Sequence, residues 1–239
     1  MRTKKIIAVI CTLSVVTASM VGCNNTKPTV TSTSEISAKT AADEKTDSKK
    51  PKYVFLFIGD GMSYPQIQST NYYLNALENK TSMGNKDDNT ILTKSKDVLE
   101  FLEFPVAGSA QTYDSTSFCP DSASTATSLS TGHKTYSGTI NMNENATESY
   151  ETITEKLYKQ LGYKIGIVSS VNLNHATPAA FYCHQESRSN YYDIGLELIK
   201  SDFDYFAGGG LLKPTGEEEN QEDLYSLAEK SGYTKIGRA

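Results

Sequence analysis

The sequence predicts an α/β fold with a mostly parallel central sheet flanked by helices. Three observations predict it. Tyr53-Val54-Phe55-Leu56-Phe57-Ile58 is an unbroken apolar run rich in β-formers, the pattern of a strand covered on both faces. Lys164 to Ser169, with Ile165, Ile167 and Val168, repeats that pattern. Between and after these runs lie segments of helical periodicity, so strands alternate with helices. Ligands of such sheets bind beyond the carboxyl ends of the strands. Two polar segments follow the runs, Gly59-Asp60-Gly61 and Ser169 to Thr177.

Along the chain, residues 1–22 come first. Arg2, Lys4 and Lys5 precede an apolar run from Ile6 to Val16, which is a charged n-region and a short h-region of a secretory leader. Met20-Val21-Gly22-Cys23 resembles a lipobox, so Cys23 is expected to carry lipid. That would make the protein extracytoplasmic and anchored to the cell membrane through Cys23. Residues 23–51 form a polar tether: Asn24 to Lys50 holds no aromatic residue and is rich in Thr, Ser, Lys, Asp and Glu. Such a segment buries too little apolar surface to offset its ordering entropy. The folded domain is expected over residues 52–239.

In that domain the Tyr53–Ile58 strand ends at Gly59-Asp60-Gly61. Ser63 is placed to cap a helix running towards Glu78, with Pro65 in its first turn. Residues 80–90 are polar and read as loop. Val106 to Tyr113 reads as a second strand, and Asp121 to Thr131 as a helix of small residues. Ile153, Leu157, Tyr158 and Leu161 share one helical face, which Gly162 can end. After the Lys164–Ser169 strand, Tyr191, Ile194 and Leu198 mark another helix. Tyr205-Phe206-Ala207 is a short strand ended by three glycines. A last helix near Glu222 to Lys230 precedes Gly232. No internal repeat occurs.

The 239 residues carry a formal charge of -5. Without residues 1–22 there remain 20 basic and 28 acidic residues, a net charge of -8. An acidic chain without basic clusters is unsuited to binding the nucleic-acid backbone, so no nucleic-acid partner is expected. Of four cysteines, Cys11 lies in the leader and Cys23 at the lipobox. The spacing of Cys119 and Cys183 does not resemble a zinc site, and the sequence leaves them either free or paired.

Chemistry concentrates in three segments. A carboxylate between two glycines at a strand end suits a hard or borderline cation, although Gly-Asp-Gly taken alone reads first as a turn whose Asp60 caps the next helix. In Cys119-Pro120-Asp121-Ser122-Ala123-Ser124-Thr125-Ala126-Thr127, small residues let a helix start approach its neighbours and a ligand closely. The backbone N–H groups there attract phosphate. A serine at that place attacks phosphorus once its hydroxyl is deprotonated, though a helix cap explains Asp121 and Ser122 locally just as well. The third segment is Ser169 to Ala180, followed by Glu186-Ser187-Arg188.

Together these segments resemble the alkaline phosphatase family. Asp121 to Thr127, continuing through Ser130-Thr131-Gly132-His133-Lys134-Thr135, is similar to its nucleophile segment. Phe57 to Met62 is similar to its first metal-binding turn, and Ser169 to Ala180 to the end of its magnesium-site strand. The resemblance covers roughly residues 53–210. Cys119 stands where the family usually has Ile or Val. The resemblance implies Ser122 as nucleophile and as a zinc ligand, with Asp60 bridging that zinc and a magnesium ion. It also implies Thr177 as a hydroxyl ligand of magnesium. His175 stands at a position that is Asp or His in different members, which makes its metal role the weakest. Arg188, eleven residues after Thr177, matches the phosphate-clamping arginine, and its guanidinium can hold two phosphoryl oxygens. Asp121 would orient it from behind. His133 and His184 match no role and read as surface or supporting residues.

The implied reaction is hydrolysis of a phosphate monoester through a phosphoserine, with Zn2+ and Mg2+ as cofactors and a homodimer as the assembly. The family's further ligands, several Asp, Glu and His residues, come from its C-terminal half. The expectation is therefore a partial domain, its sheet incomplete at the C-terminus and the chain inactive or nearly so alone. Two alternatives stand beside this one: a related superfamily hydrolase acting on sulfate esters or phosphodiesters, and a surface lipoprotein that binds phosphate or a partner without catalysis.

Overall fold

The structure, a computed structural model, describes residues 51–78 and 99–237. The leader, the tether up to Lys50 and the 80–90 loop lie outside these residues. The described part divides at Phe55, with Leu56 onwards forming one compact unit. Pro51 to Phe55, in the other unit, contain neither helix nor strand.

The larger unit begins with α1 (Tyr64–Glu78) and a single 3-10 turn, Glu100–Glu103. It continues with α2 (Ser122–Thr131), α3 (Ile153–Leu161), β1 (Gly166–Val168), α4 (Ala176–Ala179), α5 (Tyr191–Lys200), β2 (Tyr205–Ala207) and α6 (Leu224–Lys230). The two strands are parallel, Ile167 opposite Phe206, with α4 and α5 in the crossover between them. The observed fold is thus α/β, with a parallel sheet flanked by helices. The ladder runs on past the strands through Ser169 N–H to the Ala207 carbonyl at 2.9 Å and Leu173 N–H to the Gly210 carbonyl at 2.8 Å.

Helix boundaries follow the capping residues. Asp121 accepts from the Ser124 N–H at the start of α2. Thr152 and Glu155 form a reciprocal capping box on α3, and Gly162 ends that helix at φ 67°, a left-handed value that glycine adopts without steric cost. The core is built where α2 meets α4. Ala123 and Ala126 face Ala176 and Ala179, and these small side chains let the two helices approach closely. Ile140, Ile165, Ile167, Ile194 and Leu198 extend the same core. Against α6 the fit is tight enough that a Cβ on Gly195 would come within 2.3 Å of a Leu224 methyl.

A polar knot lies inside this core. Asn141 is fully buried at φ 51°. Its Nδ2 donates to the carbonyls of Ala180 (2.7 Å) and Cys183 (2.8 Å), and its Oδ1 accepts from Ser130 Oγ at 2.9 Å. The knot fastens the segment after α2 to the segment after α4, beside an antiparallel bridge between Ile140 and Gln185.

Two strand expectations fail. Tyr53–Ile58 and Val106–Tyr113 belong to no strand and are exposed, Phe57 to 87% and Val106 to 83%. Apolar β-formers make a strand only within a continuous ladder, and among the described residues the named sheet is the ladder of β1 and β2. The expected strand at Lys164–Ser169 shortens to Gly166–Val168, although Ile165 and Ser169 still bond to the chain around β2. Cys119 and Cys183 are both free, the first exposed and the second buried. Among the described residues no helix is long and apolar enough to cross a membrane.

Candidate functional site

The close packing of α2 on α4 brings the first turns of two helices side by side. Ser122 opens α2 and Thr177 lies in the first turn of α4. Both hydroxyls donate to one carboxylate: Ser122 Oγ to Asp60 Oδ1 at 3.1 Å, and Thr177 Oγ1 to Asp60 Oδ2 at 2.8 Å. Asp60 sits in a turn closed by the Met62 N–H on the Gly59 carbonyl at 3.0 Å. Gly61 takes φ 67° there, which the turn requires and a bulkier residue would resist.

His175 caps α4 without a side-chain cap bond. Its Nδ1 is buried and has no hydrogen-bond partner. Burial, and next the positive charge of Arg188, lower its pKa against the opposing pull of Asp60, which favours the neutral imidazole that binds metals. A carboxylate, two hydroxyls and an unpartnered imidazole nitrogen form a donor set that fits a divalent cation. They are a partial set: among the described residues no group of three or more His, Cys, Asp or Glu converges.

On the other side of Ser122, Arg188 Nη1 donates to Asp121 Oδ2 at 2.8 Å. Asp121 Oδ1 accepts from the Ser124 N–H at 3.0 Å and from Ser124 Oγ at 2.9 Å. Burial alone would raise the Asp121 pKa. The Ser124 and Gly138 N–H bonds and the Arg188 contact outweigh it and bring the carboxyl down to about 2. It is therefore anionic under all ordinary conditions, a fixed counter-charge to Arg188. The backbone of Arg188 is held too, its N–H donating to the Gly138 carbonyl at 2.7 Å.

The sequence-predicted residues thus fall into two contacting groups, Asp60–Ser122–Thr177 and Asp121–Arg188, joined through the Asp121–Ser122 peptide. His175 is electrostatically coupled to both groups. Sequence reasoning missed the supports of Asp121. Ser124 showed only as a small helix residue, and Gly138 lies in a loop with no periodic signal.

A second ionic centre lies away from this site. His184 Nε2 is 3.3 Å from Glu155 Oε2 and its Nδ1 is 3.5 Å from Glu197 Oε2. Burial would lower its pKa, but hydrogen bonds and charge from the two carboxylates push it up to about 9. His133 stacks on Tyr150, ring centroids 4.3 Å apart.

Comparison with known proteins gives a consistent picture. A sequence model described as Alkaline phosphatase matches residues 51–205. The tissue-nonspecific alkaline phosphatase isozyme of Mus musculus is 28% identical over 220 residues, spanning 81% of this chain and 39% of that protein. Alkaline phosphatase 4 of Bacillus subtilis (strain 168) is 30% identical over 204 residues, spanning 82% and 40% respectively. Among solved structures, a cold-active enzyme of that name from Shewanella sp. aligns with a TM-score of 0.57 at 31% identity, over 76% of this chain and 40% of its own. A TAB5 alkaline phosphatase mutant, solved with Mg bound in its M3 site, aligns with a TM-score of 0.54 at 27% identity, over 70% and 44%. The chain spans about two-fifths of the length of the relatives it matches.

Proposed function

The chain belongs to the alkaline phosphatase family, and we propose that it carries the nucleophile and the phosphate clamp of a phosphomonoester-hydrolysing site. The convergence of Asp60, Ser122 and Thr177, from positions 62 and 117 residues apart, is the observation that carries this reading. Ser122 Oγ forms the bond to phosphorus as the bond from phosphorus to the leaving oxygen breaks. Its proton departs along the existing hydrogen bond to Asp60 Oδ1, and the leaving oxygen takes one from solvent. Arg188, with one nitrogen committed to Asp121, keeps its remaining N–H donors for the phosphoryl oxygens, where charge develops. Water then cleaves the phosphoserine, returning phosphate and the serine hydroxyl, and Asp60 gives its proton to solvent. A divalent cation, zinc or magnesium, held by Asp60 with Ser122, Thr177 and His175, would lower the serine pKa and draw charge from the phosphoryl oxygens.

That a TAB5 alkaline phosphatase mutant holds Mg in its M3 site supports a metal in this reading. We place the lipid on Cys23 and an extracytoplasmic location in the same proposal, along with a homodimer. A second reading, phosphate binding without turnover, draws on the clamp: Arg188, Asp121 and Gly138 are assembled from this chain alone.

Purified residues 24–239 provide the test. Titration calorimetry with inorganic phosphate in chelator is expected to show binding that Arg188→Ala abolishes. Turnover of p-nitrophenyl phosphate with zinc and magnesium, lost on Ser122→Ala and absent with the aryl sulfate, would establish catalysis by this chain. Binding without turnover supports the second reading for the chain alone. Neither binding nor turnover would sink both.

A further inference from the structure

Asp121 is gripped more heavily than a helix cap requires. The Ser124 N–H alone completes the cap, at 3.0 Å. The Ser124 hydroxyl adds a second bond to the same oxygen at 2.9 Å, from a residue only 1% exposed. That hydroxyl lies between two carboxylates, because Asp114 Oδ2 is 3.4 Å from it on the far side. Asp114 is itself immobilised: it is 5% exposed, and its Oδ1 accepts from the Thr116 N–H (2.8 Å), Thr116 Oγ1 (3.0 Å) and the Ser117 N–H (2.6 Å). Asp121 Oδ1 is thereby fixed, leaving Oδ2 to meet Arg188 at 2.8 Å. The Gly138 peptide closes the arrangement, its N–H on the Asp121 carboxylate and its carbonyl accepting from the Arg188 N–H.

We propose that Ser124 is a positioning residue of the phosphate clamp: its buried hydroxyl, set between Asp114 and Asp121, fixes the rotation of the Asp121 carboxylate and so aims the Arg188 guanidinium. A hydroxyl has one hydrogen, and the shorter contact assigns it to Asp121. Without it, Asp121 Oδ1 keeps the Ser124 N–H but loses the hydroxyl that separates it from Asp114, and the Asp121 carboxylate is held less firmly against Arg188. The proposal rests on the phosphomonoester reading for its purpose, but not for its geometry.

Two variants move the clamp in opposite directions. Ser124→Ala removes the hydroxyl and keeps the backbone cap. Asp114→Asn keeps the carbonyl oxygen that anchors the Thr116–Ser117 loop and turns an amide donor towards Ser124 Oγ, leaving the hydroxyl hydrogen to Asp121 only. The readout is 15N NMR of guanidinium rotation in Arg188 of residues 24–239, without phosphate, followed by titration with inorganic phosphate in chelator. Ser124→Ala is expected to speed the rotation and weaken phosphate binding by about tenfold each, the size of one hydrogen bond to a charged group, with the backbone amide spectrum of α2 preserved. Asp114→Asn should rotate as slowly as the wild type or more slowly. Unchanged rotation in Ser124→Ala overturns the proposal. Where Ser124→Ala does not fold, faster rotation in Asp114→Asn overturns it, and rotation as slow as the wild type upholds it. Slow rotation that Ser124→Ala releases, in a protein that binds no phosphate, upholds the positioning role and removes the phosphate reading.

Discussion

The two flanks of Ser122 are built differently. Arg188 and Asp121 rest on buried structure: Ala123, Ser124, Ala126 and Thr127 of α2 are buried, and Asn141 ties the following loop to the segment that leads to Arg188. Asp60 rises from an exposed stretch in which Phe57 and Met62 face solvent, and two hydroxyl–carboxylate bonds join it to α2 and α4. One flank is placed by packing and the other by polar contacts at the site itself. On the proposed reading a phosphoryl group would find the Asp121–Arg188 pair already formed, whereas a cation bound by Asp60 would add much of what holds that side in place.

The contrast is tested most severely at the polar knot. Asn141→Ala strips partners from two buried carbonyls and from Ser130, and should cost about 3–4 kcal/mol in chemical denaturation. A loss below about 1 kcal/mol would mean that packing there is not what fixes the clamp.

Next in size is the His184 centre, which joins α3, the chain after α4, and α5. The groups facing the imidazole are Glu155 and Glu197, with Lys159 on Glu155 and Gln185 on Glu197. The folded pKa of about 9 lies above the ordinary 6.5, so the folded state holds this proton more tightly than the unfolded chain does. Its stabilisation is complete below pH 6.5 and is lost as pH rises through about 9, on the order of 2–3 kcal/mol. Glu155 has the opposite sign. Burial would raise its pKa, but His184 and the Thr152 N–H bring it to about 2, so its contribution is present above pH 4.5 and lost as pH falls through about 2. Stability measured from pH 6 to 10 should decline in wild type and stay flatter in His184→Gln. Parallel curves would show the carboxylates acting on something else.

Gly195→Ala should cost about 1–3 kcal/mol, because the added methyl meets Leu224 at the α5–α6 contact. A thermal midpoint unchanged from wild type would show that this contact gives way easily.

The smallest expected effect belongs to the exposed flank. Asp60→Ala should change folding free energy by less than about 1 kcal/mol without metal, while removing any rise in thermal midpoint caused by added Zn2+ or Mg2+. A large metal-free loss would place Asp60 within the packed structure after all and erase the distinction between the flanks.

What the sequence disclosed follows the same division. Helix limits were readable at Asp121 and Gly162, because capping is local chemistry; the Thr152–Glu155 capping box is equally local and went unread. Ser122, Thr177 and Arg188 were singled out through family resemblance, and the structure brings the first two to Asp60 and the third to Asp121. The strands at 53–58 and 106–113 were misjudged, since pairing depends on remote partners that no local pattern specifies. The His184 centre was invisible for a related reason. Glu155 precedes it by 29 residues and Glu197 follows it by 13, distances that no motif joins.

The spacing of Asp60 from its two hydroxyl donors also bears on how the protein is made. The turn carrying Asp60 leaves the ribosome first, and Thr177 is added 117 residues later. At about 5–20 residues per second, that interval lasts roughly 6–23 seconds. Throughout it, the hydroxyl that binds Asp60 Oδ2 has yet to be synthesised. The exposed flank is thus the earliest-made part of the site, and its last hydroxyl precedes Arg188 by only eleven residues.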